Sequence, residues 1–117
     1  MLNKIVIMGR LTRDPELRYT QNDNPVTSFT LAVDRDKDGV DFIDCVAWRK
    51  TAEFVNNYFR KGGMAVVAGR LQIREWEKDG QKRKAAEVVV DNIYFGEARR
   101  TEERRFVEVD DEGDIPF

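Results

Sequence analysis

The sequence predicts a small, mainly β barrel that carries a single helix. Several runs of residues alternate between apolar and polar side chains, as half-buried strands do, and turn residues separate these runs. One segment instead repeats its apolar residues at three- and four-residue spacings, the pattern of an amphipathic helix. This helix falls between the third and the fourth predicted strand. Five strands with a helix in that place are typical of the OB-fold, a five-stranded Greek-key barrel.

The first two strands are predicted on either side of a long loop. Residues 2–11 alternate regularly and form the first strand. Residues 12–24 contain Asp14-Pro15 and end in a polar cluster, so we expect a loop or turn region there. Residues 26–34 are rich in β-branched side chains and form the second strand. Its apolar face carries Phe29, Leu31 and Val33.

The third strand is predicted over residues 40–50, after a polar turn that contains an Asp-Gly pair. Successive side chains of a strand point to opposite faces. One face is small and aliphatic, which suits a core, and its members are Ile43, Cys45 and Ala47. The other face carries two large aromatic residues, Phe42 and Trp48, and two basic residues follow directly.

The helix is predicted over residues 51–60, with Thr51 as its N-cap residue. Its apolar face consists of Phe54, Val55, Tyr58 and Phe59. The helix is expected to end before Lys61-Gly62-Gly63, because glycine commonly follows the last helical turn.

Two further strands complete the predicted barrel. Residues 64–76 form a long fourth strand, residues 77–84 a charged hairpin tip with an Asp-Gly pair, and residues 85–95 a fifth strand. Gly9 and Gly69 lie inside strand patterns, where a small closed barrel must bend sharply.

We expect one domain followed by a tail. Residues 1–96 hold the predicted OB-fold, residues 97–109 a short charged linker, and residues 110–117 an acidic tip that we expect to be disordered. Residues 1–97 contain 16 basic and 15 acidic residues, whereas residues 98–117 contain 4 and 7. Any affinity for nucleic acid must therefore come from locally clustered basic residues and not from a global positive field.

The residue types present exclude most kinds of catalytic site. The chain has no histidine, which removes His-based triads, His general bases and most zinc sites, and it has no P-loop motif. No apolar run approaches the ~20 residues of a membrane span, and the N-terminus lacks the layout of a signal peptide. Cys45 is the single cysteine, which fits a reducing cytosol. We therefore expect a cytoplasmic protein that is not an enzyme, has no membrane contact, and needs no metal or cofactor.

Aromatic and basic residues share strand faces that point away from the predicted core. Phe42, Trp48 and Trp76 lie on such faces, and Arg70 and Arg74 share the face of Trp76. Aromatic side chains stack on bases of any identity, and basic side chains neutralise phosphates. We therefore interpret these residues as a platform for bases. The alternative is that the aromatic side chains fill the barrel or a subunit interface.

The C-terminus places acidic residues before an apolar end. This tip consists of Asp110, Asp111, Glu112, Asp114, Ile115, Pro116 and Phe117. A terminal aromatic side chain can enter an apolar pocket of a partner protein while the α-carboxylate meets a basic residue. The acidic residues steer such a tip toward basic surfaces. The tip indicates protein docking, with a solvated acidic end as the alternative.

Three features leave their role open or indicate no site. The basic residues of the hairpin tip form either a solvated turn or a mobile clamp on DNA, and they are Lys78, Lys82, Arg83 and Lys84. The aspartates within residues 34–41 lack the spacing of an EF-hand loop, so we expect a solvated turn. Cys45 is expected to be a buried strand residue.

Four segments give the chain a family likeness that extends over almost its whole length. They are LNKIVIMGRLTRDPELRYT, FIDCVAWRKTAEFVNNYFRKG, VAGRLQIREWEKDGQ and DDEGDIPF. With these segments the chain resembles the bacterial and phage single-stranded DNA-binding proteins. The resemblance implies an OB-fold that assembles, usually as a homotetramer, and wraps single-stranded DNA.

The resemblance also implies roles for individual residues. It implies base stacking by Phe42, Trp48 and Trp76, although better-known members carry tryptophan first and phenylalanine second at the first two positions. It implies contacts to the DNA backbone near Lys4, Arg18, Lys50, Lys61 and Arg74. Ile43 stands where familiar members have a polar residue that takes part in assembly, and the linker is shorter than is common in the family.

These observations lead us to expect a non-enzymatic protein that binds single-stranded DNA with little sequence preference. Such a protein protects single strands in the nucleoid and recruits replication, recombination and repair enzymes through its tip. The alternative is an OB-fold adaptor that acts mainly by protein docking and binds DNA weakly. A nuclease of the same fold is a third hypothesis, which lacks a recognisable metal site in the sequence.

Overall fold

The fold is that of a computed structural model, which describes residues 1–96. In chain order, the elements are β1 (Ile5–Leu11), β2 (Glu16–Tyr19), β3 (Pro25–Asp34), β4 (Val40–Trp48), α1 (Arg49–Tyr58), β5 (Met64–Lys78) and β6 (Gln81–Phe95). The predicted fold class, a mainly β barrel of the OB type, is confirmed. The helix lies between β4 and β5, which are the third and fourth of the strands that the sequence predicts.

Within residues 1–96, five strands close into a ring. Hydrogen bonds join them in the order β1-β5-β6-β4-β3, and β3 returns to β1 where Ala32 lies opposite Arg10. All of these pairings are antiparallel except that of β4 with β6, which is parallel around Cys45 and Val88. The short strand β2 pairs with the edge of β3 outside the ring.

The core fills the ring with apolar side chains from each of its strands and from the helix. Its fully buried members include Leu11, Phe29, Leu31, Cys45, Ala47, Val55, Val67 and Val88. Burying a side chain of this size contributes about 1.5–3 kcal/mol relative to leaving it in water. Because these residues alternate along their strands, the intervening side chains point to the outer surface of the barrel.

The helix begins at Arg49, two residues before the predicted start. Trp48 takes the N-cap position and makes no side-chain cap hydrogen bond, so the prediction that Thr51 caps the helix is wrong. Ala52 and Val55 face the core. Arg49 has a φ of 56°, a left-handed conformation that costs a side-chain-bearing residue roughly 1–2 kcal/mol. This sharp turn redirects the chain directly after Trp48.

The predicted loop over residues 12–24 contains the strand β2, so that prediction is wrong for Glu16–Tyr19. The Thr27 hydroxyl donates to the Glu16 carbonyl at 2.7 Å and thereby reinforces the pairing of β2 with β3. The preceding residues are held against the segment that follows the helix, because the Lys61 N–H donates to the Asp14 carboxylate at 2.8 Å.

Beyond the barrel, β5 and β6 continue as a two-stranded arm. The arm ends at Asp79 and Gly80, whose φ values of 52° and 78° fit the type I′ turn of a tight hairpin. The strands reach Lys78 and resume at Gln81, so the turn is shorter than the predicted tip. Leu71 and Ile73 continue the core-facing side of β5, yet they are exposed because the barrel has ended there.

The arm leaves the barrel near Gly69, as the position of this glycine in the strand pattern suggests. The pairing of β5 with β6 shifts register between Ala68 and Gly69. A Cβ atom at Gly69 would collide with the Val89 carbonyl oxygen, and one at Gly9 would collide with the Ala32 carbonyl oxygen. Both glycines therefore allow strands to approach more closely than any side chain would permit.

Over residues 1–96 the structure contains no helix that is long and apolar enough to span a membrane. The predicted linker over residues 97–109 and the predicted tip over residues 110–117 lie outside the described residues.

Candidate nucleic-acid interface

The outer face of β4 presents the aromatic side chains that the alternation of the sequence places there. Phe42 is 68% exposed and Trp48 is 45% exposed, whereas Cys45 and Ala47 on the opposite face are buried. Neither aromatic ring fills the barrel. The ring faces are consequently accessible to a planar ligand at the protein surface.

Trp48 lies in an open groove of about 720 Å³ on the outside of the barrel. Its lining comes from β2, β3, β4, the arm and the segment before β2. Three arginines contribute to this lining, and they are Arg13, Arg18 and Arg74. The groove thus combines an exposed indole ring with several guanidinium groups.

Strand register explains why Arg18 and Trp48 share this groove although they lie 30 positions apart in the chain. Arg18 lies opposite Val26 on β3, and Val26 lies opposite Trp48 on β4. Paired residues point to the same face of a sheet, so the two side chains stand on one face about 10 Å apart. The Arg18 guanidinium also donates to the Ser28 hydroxyl at 3.4 Å.

On the arm, Trp76 is held next to a basic and an acidic residue. The central guanidinium carbon of Arg74 lies 4.6 Å from the Trp76 ring centroid, which is the geometry of a cation–π contact. Arg74 Nε also lies 3.8 Å from a carboxylate oxygen of Glu87. Trp76 is 37% exposed. A base that stacks on the covered side of this ring must displace the guanidinium, which then becomes available to a phosphate.

The structure brings only some of the predicted site residues together. Trp48, Arg18 and Arg74 line the same groove. Phe42 and Trp76 share the outer surface but do not line the groove. Phe42 lies opposite Ala32 toward the far end of β4, and Trp76 lies farther out on the arm than Arg74.

The remaining predicted phosphate contacts are exposed but lie outside the groove. Lys4 precedes β1, Lys50 is in the first turn of α1, and Lys61 follows the helix. Arg70 lies on the arm and donates to the Gln72 amide oxygen at 3.0 Å. These four residues stay predictions, because the described geometry does not link them to the groove.

The register of the arm separates the four basic residues of the predicted hairpin tip. Trp76 lies opposite Arg83, so Arg83 stands on the same face of the arm as Trp76, and by alternation Lys78 does too. Lys82 and Lys84 stand on the other face, opposite Glu77 and Glu75 respectively. A clamp on nucleic acid bound at Trp76 would therefore use Arg83 and Lys78, and the cross-strand acids balance the other two charges.

Acidic residues also line the groove, which is therefore not uniformly positive. They are Glu16, Asp44 and Glu87. The Thr30 hydroxyl donates to the Asp44 carboxylate at 2.8 Å. The next residue on β4 is Cys45. Its burial and the nearby charge of Asp44 raise the pKa of its thiol to about 12. Cys45 is buried in the core, as the sequence predicts.

Sequence reasoning did not assign two residues of the groove, Arg13 and Tyr19. Both are exposed and lie in the stretch that the sequence predicts as a loop, where Arg13 precedes β2 and Tyr19 is the last residue of β2. The sequence feature that could have indicated Tyr19 is its position next to Arg18, because a basic and an aromatic residue side by side are typical of a nucleic-acid contact. Without the pairing of β2 with β3, nothing in the sequence places that pair beside Trp48.

The chemistry of this surface is that of binding. Indole, phenyl and guanidinium groups offer stacking surfaces and positive charge. Among residues 1–96, no three His, Cys, Asp or Glu side chains are grouped so that they could hold a metal ion.

A family model and individual relatives all relate this chain to the same group of proteins. The model of the single-strand binding protein family matches residues 2–96. The chain is 46% identical to the single-stranded DNA-binding protein of Halalkalibacterium halodurans, covering 97% of this chain and 71% of that protein. It is 48% identical to single-stranded DNA-binding protein A of Bacillus subtilis, covering 85% of this chain and 62% of that protein.

A third relative, the single-stranded DNA-binding protein of Bacillus cereus, is 48% identical over 85% of this chain and 62% of its own length. The chain thus spans less than two thirds of the length of two of these three relatives. The family match nevertheless covers the complete described barrel, from before β1 to the end of β6. On these matches, the chain belongs to the single-strand binding protein family.

Proposed function

We propose that this protein binds single-stranded DNA on the outer surface of its barrel, by base stacking and phosphate neutralisation, and that it is not an enzyme. The observation that supports this most strongly is the groove in which Trp48 lies beside Arg18 and Arg74. The names of the relatives, which are single-stranded DNA-binding proteins, point to the same ligand.

Binding of this kind has little sequence preference. Every base presents a π-face, so stacking on Phe42, Trp48 and Trp76 does not depend on base identity, and each stacked base contributes about 1–3 kcal/mol. Arginine contacts to phosphates likewise carry no sequence information. A duplex cannot use these rings, because its bases are stacked on one another. The protein is therefore expected to prefer single strands to duplex DNA and to protect them.

We further propose that the chain assembles with itself, as a homotetramer. The outer face of β1 supports this, because Val6 and Met8 are more than half exposed on it. Leu71 and Ile73 add exposed apolar area on the inner side of the arm. Contiguous apolar area on a protein surface commonly marks a protein–protein contact.

The acidic tip is proposed to recruit the enzymes of DNA replication, recombination and repair, in the cytoplasm at the nucleoid. The support comes from the chemistry of the tip, in which acidic residues precede Ile115, Pro116 and the terminal Phe117. An apolar segment that follows acidic residues suits an apolar pocket that has a basic rim.

The test is DNA binding by the full chain with single aromatic substitutions. Trp48→Ala and Trp76→Ala are each expected to weaken binding to a dT oligomer by about 5- to 100-fold, the loss of one stacked base. Tyr58→Ala serves as the control, because Tyr58 is an exposed aromatic residue on the helix. If both tryptophan variants bind like the control, the surface is not a DNA platform and the adaptor hypothesis replaces it.

A further inference from the structure

Tyr19 is a second exposed aromatic residue in the groove that contains Trp48. Its side chain is 59% exposed, more than that of Trp48 or Trp76. It lines the same groove as Trp48, Arg18 and Arg74. The Tyr19 ring does not belong to the core, so the packing of the fold does not require it. The ring is nevertheless exposed to water.

The backbone around Tyr19 is fixed from both sides. Tyr19 ends β2 and lies opposite Pro25 on β3. Directly after it, the Thr20 N–H donates to the Asn24 carbonyl at 3.0 Å, and the Asp23 N–H donates to the Thr20 carbonyl at 2.8 Å. The ring therefore projects from a strand end closed by a tight turn and not from a long free loop. A platform for bases benefits from such rigidity, because less entropy is lost on binding.

The position of Tyr19 also fits a strand of nucleic acid that passes Trp48. The neighbouring residue Arg18 shares a face with Trp48 two strands away, about 10 Å across the sheet. Successive phosphates of one strand are about 3.4 Å apart along the axis of duplex DNA and farther apart in an extended strand, so this distance corresponds to only a few nucleotides. Tyr19, the next and last residue of β2, points by alternation to the other side of that strand and lines the groove where the strand ends. A strand of nucleic acid that passes Trp48 and the Arg18 guanidinium can therefore reach the Tyr19 ring at the end of β2.

Arg13 supplies positive charge on the same side of the groove. It is exposed and lines the groove, and the next residue, Asp14, is tied to the Lys61 N–H. This bond fixes the chain directly after Arg13. The wall of the groove that contains β2 thus offers one ring and two guanidinium groups, those of Arg13 and Arg18.

We propose that Tyr19 is a base-stacking residue and Arg13 a phosphate-binding residue, so that the β2 side of the groove extends the DNA-binding surface beyond Trp48. This rests on the proposed function, since it adds residues to the same surface. The geometry that carries the proposal is one groove lined by Trp48, Tyr19, Arg13 and Arg18.

The first experiment measures the affinity of the full chain for a dT oligomer as a function of salt. Tyr19→Ala and Tyr19→Leu are expected to lose about 5- to 100-fold in affinity, whereas Tyr19→Phe keeps the wild-type value. The slope of log K against log salt stays unchanged in these variants. Arg13→Ala, in contrast, should make that slope shallower by about 0.7, the loss of one phosphate contact.

The controls separate failure of this inference from failure of the proposed function. If Trp48→Ala weakens binding but Tyr19→Ala binds like Tyr58→Ala, Tyr19 does not stack and the inference is overturned. If Trp48→Ala also has no effect, the proposed function fails first. Thermal unfolding of each variant shows whether a loss of affinity merely follows a loss of folded protein.

A second experiment detects stacking at Tyr19 without relying on a loss of affinity. In a background with Trp48→Phe and Trp76→Phe, Tyr19→Trp introduces the single tryptophan of the chain. Its fluorescence is expected to be quenched on saturation with the dT oligomer, and that of Tyr58→Trp in the same background is not. Equal responses at the two positions, or none at position 19, would contradict a stacked ring there.

Discussion

At the scale of single residues, the proposed DNA-binding surface places aromatic rings next to both positive and negative side chains. Trp48 shares its groove with three arginines and also with three carboxylates. Arg74 illustrates the mixture, because it contacts the Trp76 ring and lies 3.8 Å from Glu87. Because the Arg74 side chain is more than half exposed, its ion pair with Glu87 is weak. Arg74 can therefore leave the Glu87 carboxylate and contact a phosphate at little cost in free energy.

The first prediction concerns Asp44, whose carboxylate lines the groove and repels phosphates. Asp44→Asn removes the charge but keeps an oxygen that can accept from the Thr30 hydroxyl, now at 2.8 Å. Affinity for a dT oligomer is expected to rise a few-fold at low salt and to converge with wild type at high salt. Asp38→Asn is the matched control, because it makes the same change in the turn between β3 and β4. An equal gain in both variants would indicate an effect of net charge alone.

The second prediction concerns Cys45. Burial and the charge of Asp44 raise the pKa of its thiol from 9.0 to about 12. The thiolate is the species that attacks a disulfide reagent, so at pH 8 the thiol of the folded protein is expected to react only as fast as the protein opens. Labelling in denaturant should be rapid. Rapid labelling of the native protein at pH 8 would show that Cys45 is accessible.

The same pKa shift has a consequence for stability at alkaline pH. The unfolded chain releases the thiol proton near pH 9.0, whereas the folded chain keeps it until about pH 12. Above pH 9 the folded state thus binds more protons than the unfolded state, and stability falls as pH rises through this window. Cys45→Ala should lose stability less steeply over the same range in chemical denaturation.

At the scale of elements, the turn from β4 into α1 fixes the position of Trp48. Arg49 adopts a left-handed conformation directly after it. Glycine accepts this conformation without cost, so Arg49→Gly is expected to leave the free energy of unfolding unchanged or to raise it by up to about 1 kcal/mol. Glu53→Gly, at an exposed position in the middle of the helix, should lower it by about 1 kcal/mol. Equal losses in the two variants would contradict a strained Arg49.

The arm provides a second prediction at this scale. Arg83 lies opposite Trp76, whereas Lys84 lies on the other face opposite Glu75. Arg83→Ala is therefore expected to weaken binding to a dT oligomer and to make its salt dependence shallower by about 0.7. Lys84→Ala removes the same charge at the neighbouring position and should leave the slope unchanged. Identical slopes in both variants would mean that DNA does not distinguish the two faces of the arm.

Much of the barrel could be predicted from the sequence because alternation reports burial directly. In β4 the period of two separates Phe42 and Trp48 from Cys45, and the structure divides them in the same way. β2 was missed because it has four residues and is held by its pairing with β3, not by a buried face of its own. The exposure of Leu71 has a similar cause, since periodicity does not tell where a strand leaves the barrel.

At the scale of the whole molecule, the groove depends on contacts between distant parts of the chain. Arg18 and Trp48 meet through two register relations, and the arm adds Arg74 from β5. No local pattern encodes such a juxtaposition, so the sequence could nominate these residues but not group them. For the same reason it could not assign Tyr19.

Self-association is the prediction that belongs to this scale. Val6→Lys places a charge on the exposed apolar face of β1 and is expected to lower the mass measured in solution. Val40→Lys makes the same change at an exposed position where β4 begins, and should leave the mass as in wild type. Wild-type protein of monomer mass, or unchanged mass in both variants, would contradict assembly through β1.

The central claim is that exposed aromatic rings on the outer surface of the barrel stack on single-stranded DNA. The most direct measurement is a titration of the intact protein with a dT oligomer, following tryptophan fluorescence from about 50 to 200 mM salt. Stacking on Trp48 and Trp76 predicts that DNA quenches the fluorescence to a saturating value. The logarithm of the association constant is expected to fall linearly with the logarithm of the salt concentration. Tight binding that leaves the tryptophan fluorescence unchanged would show that DNA is bound elsewhere.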